Sequence, residues 1–169
     1  MRRRFQSALA LVALLALFAV APAQETLGPK TPQVTAIPTE AVAVAPGGSV
    51  RVELRFRVAA GFHINSSKPR SEFLIPTRLK LSPPANLTPG RVVYPEGKDL
   101  TFTFSPGEKL NVYSGDFTVR AEFRALSSAP PGTYRVPGEL RYQACNDRAC
   151  FPPTKLPVEF EVTVRKPRS

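Results

Sequence analysis

From residue 50 the chain alternates apolar and charged positions. Val50, Val52, Leu54, Phe56 and Val58 interleave with Arg51, Glu53, Arg55 and Arg57. Successive side chains of a strand point to opposite faces, so a period of two predicts a strand with one buried face. The pattern returns at Phe117, Val119, Ala121 and Phe123, and again at Val158, Phe160, Val162 and Val164. Shorter apolar segments predict strands at Val42–Ala45, Thr77–Leu81, Arg91–Tyr94, Leu110–Tyr113 and Gly138–Ala144. Between them stand turn signals: Pro46-Gly47-Gly48, Pro83-Pro84, Pro89-Gly90, Ser105-Pro106-Gly107 and Pro130-Pro131-Gly132. The 19 prolines disfavour any long helix in this region, because proline has no amide hydrogen and clashes with the preceding turn. Roughly seven to nine short strands in one domain predict an all-β fold, an immunoglobulin-like antiparallel β-sandwich.

Three segments break the alternation and read as long irregular connections: residues 61–76, 95–108 and 145–153. Loops carried by a rigid sandwich are where function tends to sit.

The N-terminus carries a different signal. Arg2, Arg3 and Arg4 precede an apolar run from Ala8 to Ala21, which ends in Ala21-Pro22-Ala23. This predicts a signal peptide over residues 1–23, cleaved after Ala23, and a periplasmic or secreted protein. The run is shorter than the about 20 apolar residues of a membrane span. No later stretch is long and apolar enough to cross a bilayer, so the mature chain is expected to have no membrane span. Residues 24–33 read as a flexible lead-in, and residues 34–169 as one domain.

Charge changes the picture little. The chain has 23 basic and 13 acidic residues, a formal +10, of which three charges leave with the signal segment. The remaining basic residues are dispersed, with no stripe and no nucleic-acid-binding module. A solvated basic surface is expected, and no nucleic-acid partner.

Candidate chemistry rests on the two cysteines. Export places them where disulfides persist, and two cysteines allow one intrachain bridge. Cys145 and Cys150 are separated by Asn146, Asp147, Arg148 and Ala149, a turn-favouring set, with extended segments on both sides. Opposed residues of such a hairpin have Cα atoms about 4.5–5.5 Å apart, within reach of a disulfide. Pro152 and Pro153 cannot continue a central ladder, which predicts an edge hairpin with accessible sulfurs. So short a loop stabilises by only about 2 kcal/mol on the chain-entropy model, so spacing leaves a staple and a redox pair both open. No helix follows to lower a thiol pKa, so this is not a thioredoxin-type site.

Two stretches carry a resemblance. Tyr142-Gln143-Ala144-Cys145, followed by Cys150-Phe151-Pro152-Pro153, resembles the redox hairpin of the DsbD N-terminal periplasmic domain family. Gly61-Phe62-His63-Ile64-Asn65-Ser66, with Pro69 and Phe73-Leu74-Ile75-Pro76-Thr77, is similar to a second signature of that family. Val93-Tyr94-Pro95 and Val112-Tyr113-Ser114-Gly115 resemble its middle section.

The resemblance implies an immunoglobulin-like domain with one redox-active disulfide, Cys145–Cys150, and no organic cofactor or metal. It implies electron transfer through transient mixed disulfides with thioredoxin-like proteins, among them disulfide isomerases and proteins of cytochrome c maturation. The family's full-length protein continues into a membrane electron carrier, whereas this sequence ends at Ser169, so a separate membrane reductant is expected. By position Cys145 is assigned the mixed disulfide with partners. The family shields its cysteines with an aromatic cap loop. Residues 95–108 occupy that place, with Phe102 and Phe104 as candidates, although both also fit an ordinary alternating strand.

His63, the only histidine, could join the cysteines as a metal ligand or a Cys–His nucleophile pair. The set lacks a fourth ligand and a free thiol, so support of the loop beside the cysteines is the preferred role. Tyr142 is read as a strand aromatic that could pack beside the bridge. From another class comes the alternative function: a non-catalytic immunoglobulin-like binding or assembly module with an inert structural disulfide.

Overall fold

A computed structural model describes residues 33–166. The predicted signal segment and nearly all of the lead-in lie outside these residues. Twelve strands form in chain order, and no helix forms among the described residues. They are β1 (Val34–Ile37), β2 (Val42–Val44), β3 (Ser49–Val58), β4 (His63–Asn65), β5 (Arg78–Leu81) and β6 (Leu87–Val93). The chain continues with β7 (Lys98–Phe102), β8 (Ser105–Tyr113), β9 (Asp116–Ala125), β10 (Gly132–Tyr142), β11 (Ala144–Cys145) and β12 (Thr154–Val164).

Three four-stranded sheets result, in the orders β1-β3-β9-β6, β2-β12-β10-β5 and β11-β4-β8-β7. The first two face each other as a sandwich. Val52, Leu54, Phe56 and Val58 of β3 and Phe117, Val119, Ala121 and Phe123 of β9 point inward. They meet Val136 and Leu140 of β10 and Val158, Phe160, Val162 and Val164 of β12 in one core. Phe123 and Phe160 bridge the sheets with ring centroids 5.6 Å apart. Each Val, Leu or Phe among them contributes roughly 1.5–3 kcal/mol by leaving water. The immunoglobulin-like sandwich expected from the alternation is therefore present.

The outward face of the first sheet explains the dispersed charge. The β3 and β9 register sets Arg51 opposite Glu122, Glu53 opposite Arg120 and Arg57 opposite Asp116. All three pairs form exposed ion pairs. Such exposed pairs add little stability, but they set an acid beside each of these three arginines.

Three features differ from the sequence reading. There are more strands than expected, because β1, β4 and β7 are three to five residues long and fall below what periodicity can reveal. The β2 and β12 strands pair in parallel, whereas the other ladders are antiparallel. The segments 61–76 and 95–108 are also not wholly irregular: the first contains β4, and the second forms most of the β7–β8 hairpin. In that hairpin the register jumps between Thr101 and Phe102, so residues 106–108 bulge out, with Gly107 at φ +91°. The Ser-Pro-Gly signal marks this bulge and does not end the strand.

The third sheet positions the site. Ile64, Tyr113 and Ala144 anchor it in the common core. Its edge strand, β11, carries Cys145, and its far strand, β7, carries the hairpin whose tip holds Phe102 and Phe104.

Candidate functional site: an edge disulfide beside a buried histidine

Cys145 and Cys150 are joined, with Cα atoms 3.9 Å apart, closer than the sequence reading expected. The backbone explains the close approach. Asn146 N–H donates to Ala149 O at 2.9 Å and Phe151 N–H to Ala144 O at 2.8 Å, so the bonds flank the pair. The cysteines thus occupy a non-hydrogen-bonded antiparallel bridge, the narrower kind, in which side chains come closest. Asn146 closes the turn: its Oδ1 accepts the N–H groups of Arg148 and Ala149, both at 2.9 Å.

The edge placement agrees with the sequence, but the two sulfur-bearing residues differ. Cys145 is 0 % exposed, whereas Cys150 is exposed to solvent. The difference follows from topology: Cys145 lies between Cys150 and β4, and among the described residues no strand pairs beyond Cys150.

His63 pairs directly with Cys145 across β4 and β11. Residues paired this way share a face of the sheet. His63, Cys145 and Cys150 therefore stand in one row. The imidazole is 3 % exposed, and its Nε2 is buried without a hydrogen-bond partner. Burial pushes its pKa down to about 4, opposed weakly by the Asp147 carboxylate. His63 is neutral at neutral pH.

The tip of the β7–β8 hairpin covers this imidazole. Phe102 stacks on His63 at 3.8 Å between ring centroids, and Phe104 stacks on Phe102 at 5.6 Å. Both phenylalanines are half-buried. Thr103, between them, donates its hydroxyl to the Asp147 carbonyl on the cysteine turn at 2.6 Å. The hairpin is also tied down at its base. Arg70 makes a two-point ion pair with Asp99, and Asn111 Nδ2 donates to Asp99 at 2.9 Å and to Gly97 O at 3.2 Å. Gly97 is needed there, because a Cβ would lie 2.8 Å from Ser66 Cβ and collide with the Asn111 amide.

Tyr142 does not lie at the surface of the site. It is buried in the common core, and burial raises its phenol pKa. The adjacent Gln143 is the brace that sequence reading passed over. Its Nε2 donates to Phe151 O at 3.2 Å, while its Oε1 accepts from Asn65 Nδ2 at 3.2 Å. Asn65 Nδ2 donates in turn to Ile75 O at 3.0 Å. Phe62 packs on Phe151 at 5.9 Å. The two stretches singled out in the sequence, 61–77 and 142–153, are thus bound to each other. Gln143 and Asn65 stand within them, but their partnership spans 78 residues and has no local signal.

This is an immunoglobulin-like domain that carries a surface disulfide at a sheet edge, flanked by an aromatic-capped histidine. The chain belongs to the family described as thiol:disulfide interchange protein DsbD, N-terminal, whose model matches residues 33–161. No match is found among curated proteins.

Among solved structures, the chain is similar to the N-terminal periplasmic domain of ScsB from Proteus mirabilis, at 15 % identity and TM-score 0.49. That match covers 75 % of this chain and 44 % of the other, so the chain spans less than half of that relative's length. It is similar to the reduced DsbD N-terminal domain of Neisseria meningitidis, at 25 % identity and TM-score 0.38, covering 66 % and 75 % of the two chains. It also shares its fold with the seventh ScaB type I cohesin of Pseudobacteroides cellulosolvens, at 15 % identity and TM-score 0.53, covering 80 % and 94 %.

Proposed function

We propose that this domain passes reducing equivalents to periplasmic or secreted disulfide proteins through the Cys145–Cys150 dithiol/disulfide. The observation that carries this reading is the unequal exposure of the two cysteines. A structural staple needs no outward sulfur, whereas exchange needs one that a partner can reach along the S–S axis. Family membership supports the same reading.

The exposure supports a different assignment from the one made by position: Cys150 is the sulfur that partners meet. In reduction, a partner thiolate attacks Cys150 Sγ, the S–S bond breaks, and its electron pair leaves on Cys145 Sγ. The partner's second thiolate then attacks the partner sulfur of the mixed disulfide and releases Cys150. The partner leaves oxidised, and two electrons and two protons stay on Cys145 and Cys150. In the forward direction Cys150 attacks an acceptor disulfide and Cys145 resolves the intermediate. Phe102 and Phe104 act as the cap that screens His63 between encounters. Partners of the thioredoxin-like class, and a membrane-bound reductant upstream, follow from the family resemblance.

Trapping tests the reading. Cys145→Ser should accumulate a mixed disulfide with a thioredoxin-like partner through Cys150, and Cys150→Ser should not. Absence of any mixed disulfide with either variant contradicts electron shuttling. The complete burial of Cys145 favours a second reading, a binding or assembly module with an inert bridge. That reading predicts a disulfide untouched by strong dithiol and a melting temperature that drops when the cysteines are replaced.

A further inference from the structure

The row at the sheet edge contains one buried, unpartnered polar atom that the exchange steps above do not use. His63 Nε2 is buried and unpartnered, on a side chain that the sheet register places directly opposite Cys145. A buried nitrogen without a hydrogen bond costs about 1–3 kcal/mol, so its retention beside a sulfur calls for a role. The disulfide gives this nitrogen little, because a bridged sulfur has no proton and no charge. Reduction changes that: Cys145 becomes a buried thiol or thiolate.

We propose that His63 is the proton partner of Cys145: it takes the Cys145 thiol proton when that sulfur resolves a mixed disulfide, and returns it when Cys145 is the leaving group. The inference rests on the reading of the bridge as redox-active, with Cys150 facing partners. Oxidation of the dithiol by an aromatic disulfide shows the balance. The Cys150 thiolate attacks one sulfur of the probe, a mixed disulfide forms, and one aromatic thiolate leaves. The Cys145 proton passes to His63, the Cys145 thiolate attacks Cys150 Sγ, and the second aromatic thiolate leaves. His63 then releases its proton to solvent. Two electrons have moved from the dithiol to the probe.

The surroundings suit a proton that stays only transiently. The groups facing the imidazole are Phe102 and Phe104 from the hairpin tip, Cys145 from β11, and the Asp147 carboxylate from the turn. Phe102 and Phe104 carry no charge, and Asp147 favours the imidazolium only weakly, so burial keeps the resting imidazole neutral. A thiolate at Cys145 supplies the opposite charge that makes the imidazolium favourable while the intermediate lasts. Phe102, stacked on the ring, fixes its plane.

The test is single-turnover oxidation of the fully reduced protein by dithiobis-nitrobenzoate, which releases one coloured thiolate per step. The first phase reads Cys150 and the second reads Cys145. His63→Phe keeps an aromatic platform for Phe102 but removes the nitrogen. His63→Gln keeps a polar group that does not titrate, and it carries the test if the first variant does not fold. Either variant should slow the second phase about tenfold at pH 7 and raise its pH midpoint by about one unit or more, with the first phase within about twofold of wild type. An unchanged second-phase rate and midpoint, or equal slowing of both phases, overturns the inference. If wild type gives no second phase at all, the redox reading itself falls, and this inference with it.

Discussion

The Thr103 hydroxyl donates to the Asp147 carbonyl at 2.6 Å, joining the tip of the β7–β8 hairpin to the turn between the two cysteines. Among the described residues this is the one side-chain hydrogen bond between cap and cysteine turn, and it involves exposed residues. A net contribution of about 1 kcal/mol is expected from such a bond, or about fivefold in an opening equilibrium. Thr103→Val should therefore raise the rate at which a small thiol reduces the bridge several-fold, with little change in melting temperature. Rates measured in excess dithiol check this; an unchanged rate means that the cap does not restrain the cysteine turn.

The base of the hairpin should behave differently. Arg70 holds the Asp99 carboxyl far down, near pKa 2, and the Asn111 amide helps. The sign follows directly: the folded pKa lies below the unfolded value of 3.8, so this stabilisation is present above pH 3.8 and is lost as pH falls toward 2. At neutral pH the pair is solvent-screened, and Asp99→Asn should lower stability only slightly. Denaturant unfolding at low and high salt checks this, and the small difference should shrink further in salt.

His63 titrates in a separate window. Its folded pKa of about 4 lies below the ordinary 6.5, so the unfolded chain takes up the proton first on acidification. Stability is full above pH 6.5 and falls between 6.5 and 4, by up to about 3 kcal/mol. Melting curves of the oxidised protein across this range should show the slope, and His63→Phe should flatten it. An equal slope in the variant would place the titration elsewhere.

Gln143 should matter more to stability than its polar character suggests. It links Phe151 O, Asn65 and the Ile75 amide, and Asn65 is wholly buried with its own Oδ1 unpartnered. Gln143→Ala leaves these groups short of partners and should cost about 1–3 kcal/mol. The same change should loosen the cysteine hairpin, detected as faster amide exchange at Phe151.

The sequence pattern made the sandwich legible because β3, β9 and β12 are ten or eleven residues long and alternate cleanly over most of their length. Short β1, β4 and β7 offered too few periods to read. The cysteine hairpin was legible because its members are neighbours in sequence. Its asymmetry was not, since Cys145 is covered by β4, more than 70 positions earlier, and this depends on the β4–β11 register. His63 was visible as a lone histidine in a suggestive segment. Its place opposite Cys145, and beneath Phe102, is a consequence of sheet order alone.

The most direct test of the account is the reduction potential of the Cys145–Cys150 couple, obtained by equilibrating the purified domain in graded dithiol buffers and counting free thiols. The account predicts a value above about −300 mV, in the range open to exchange with other thiol proteins. A value well below that would mark the bridge as structural and contradict the proposed electron transfer.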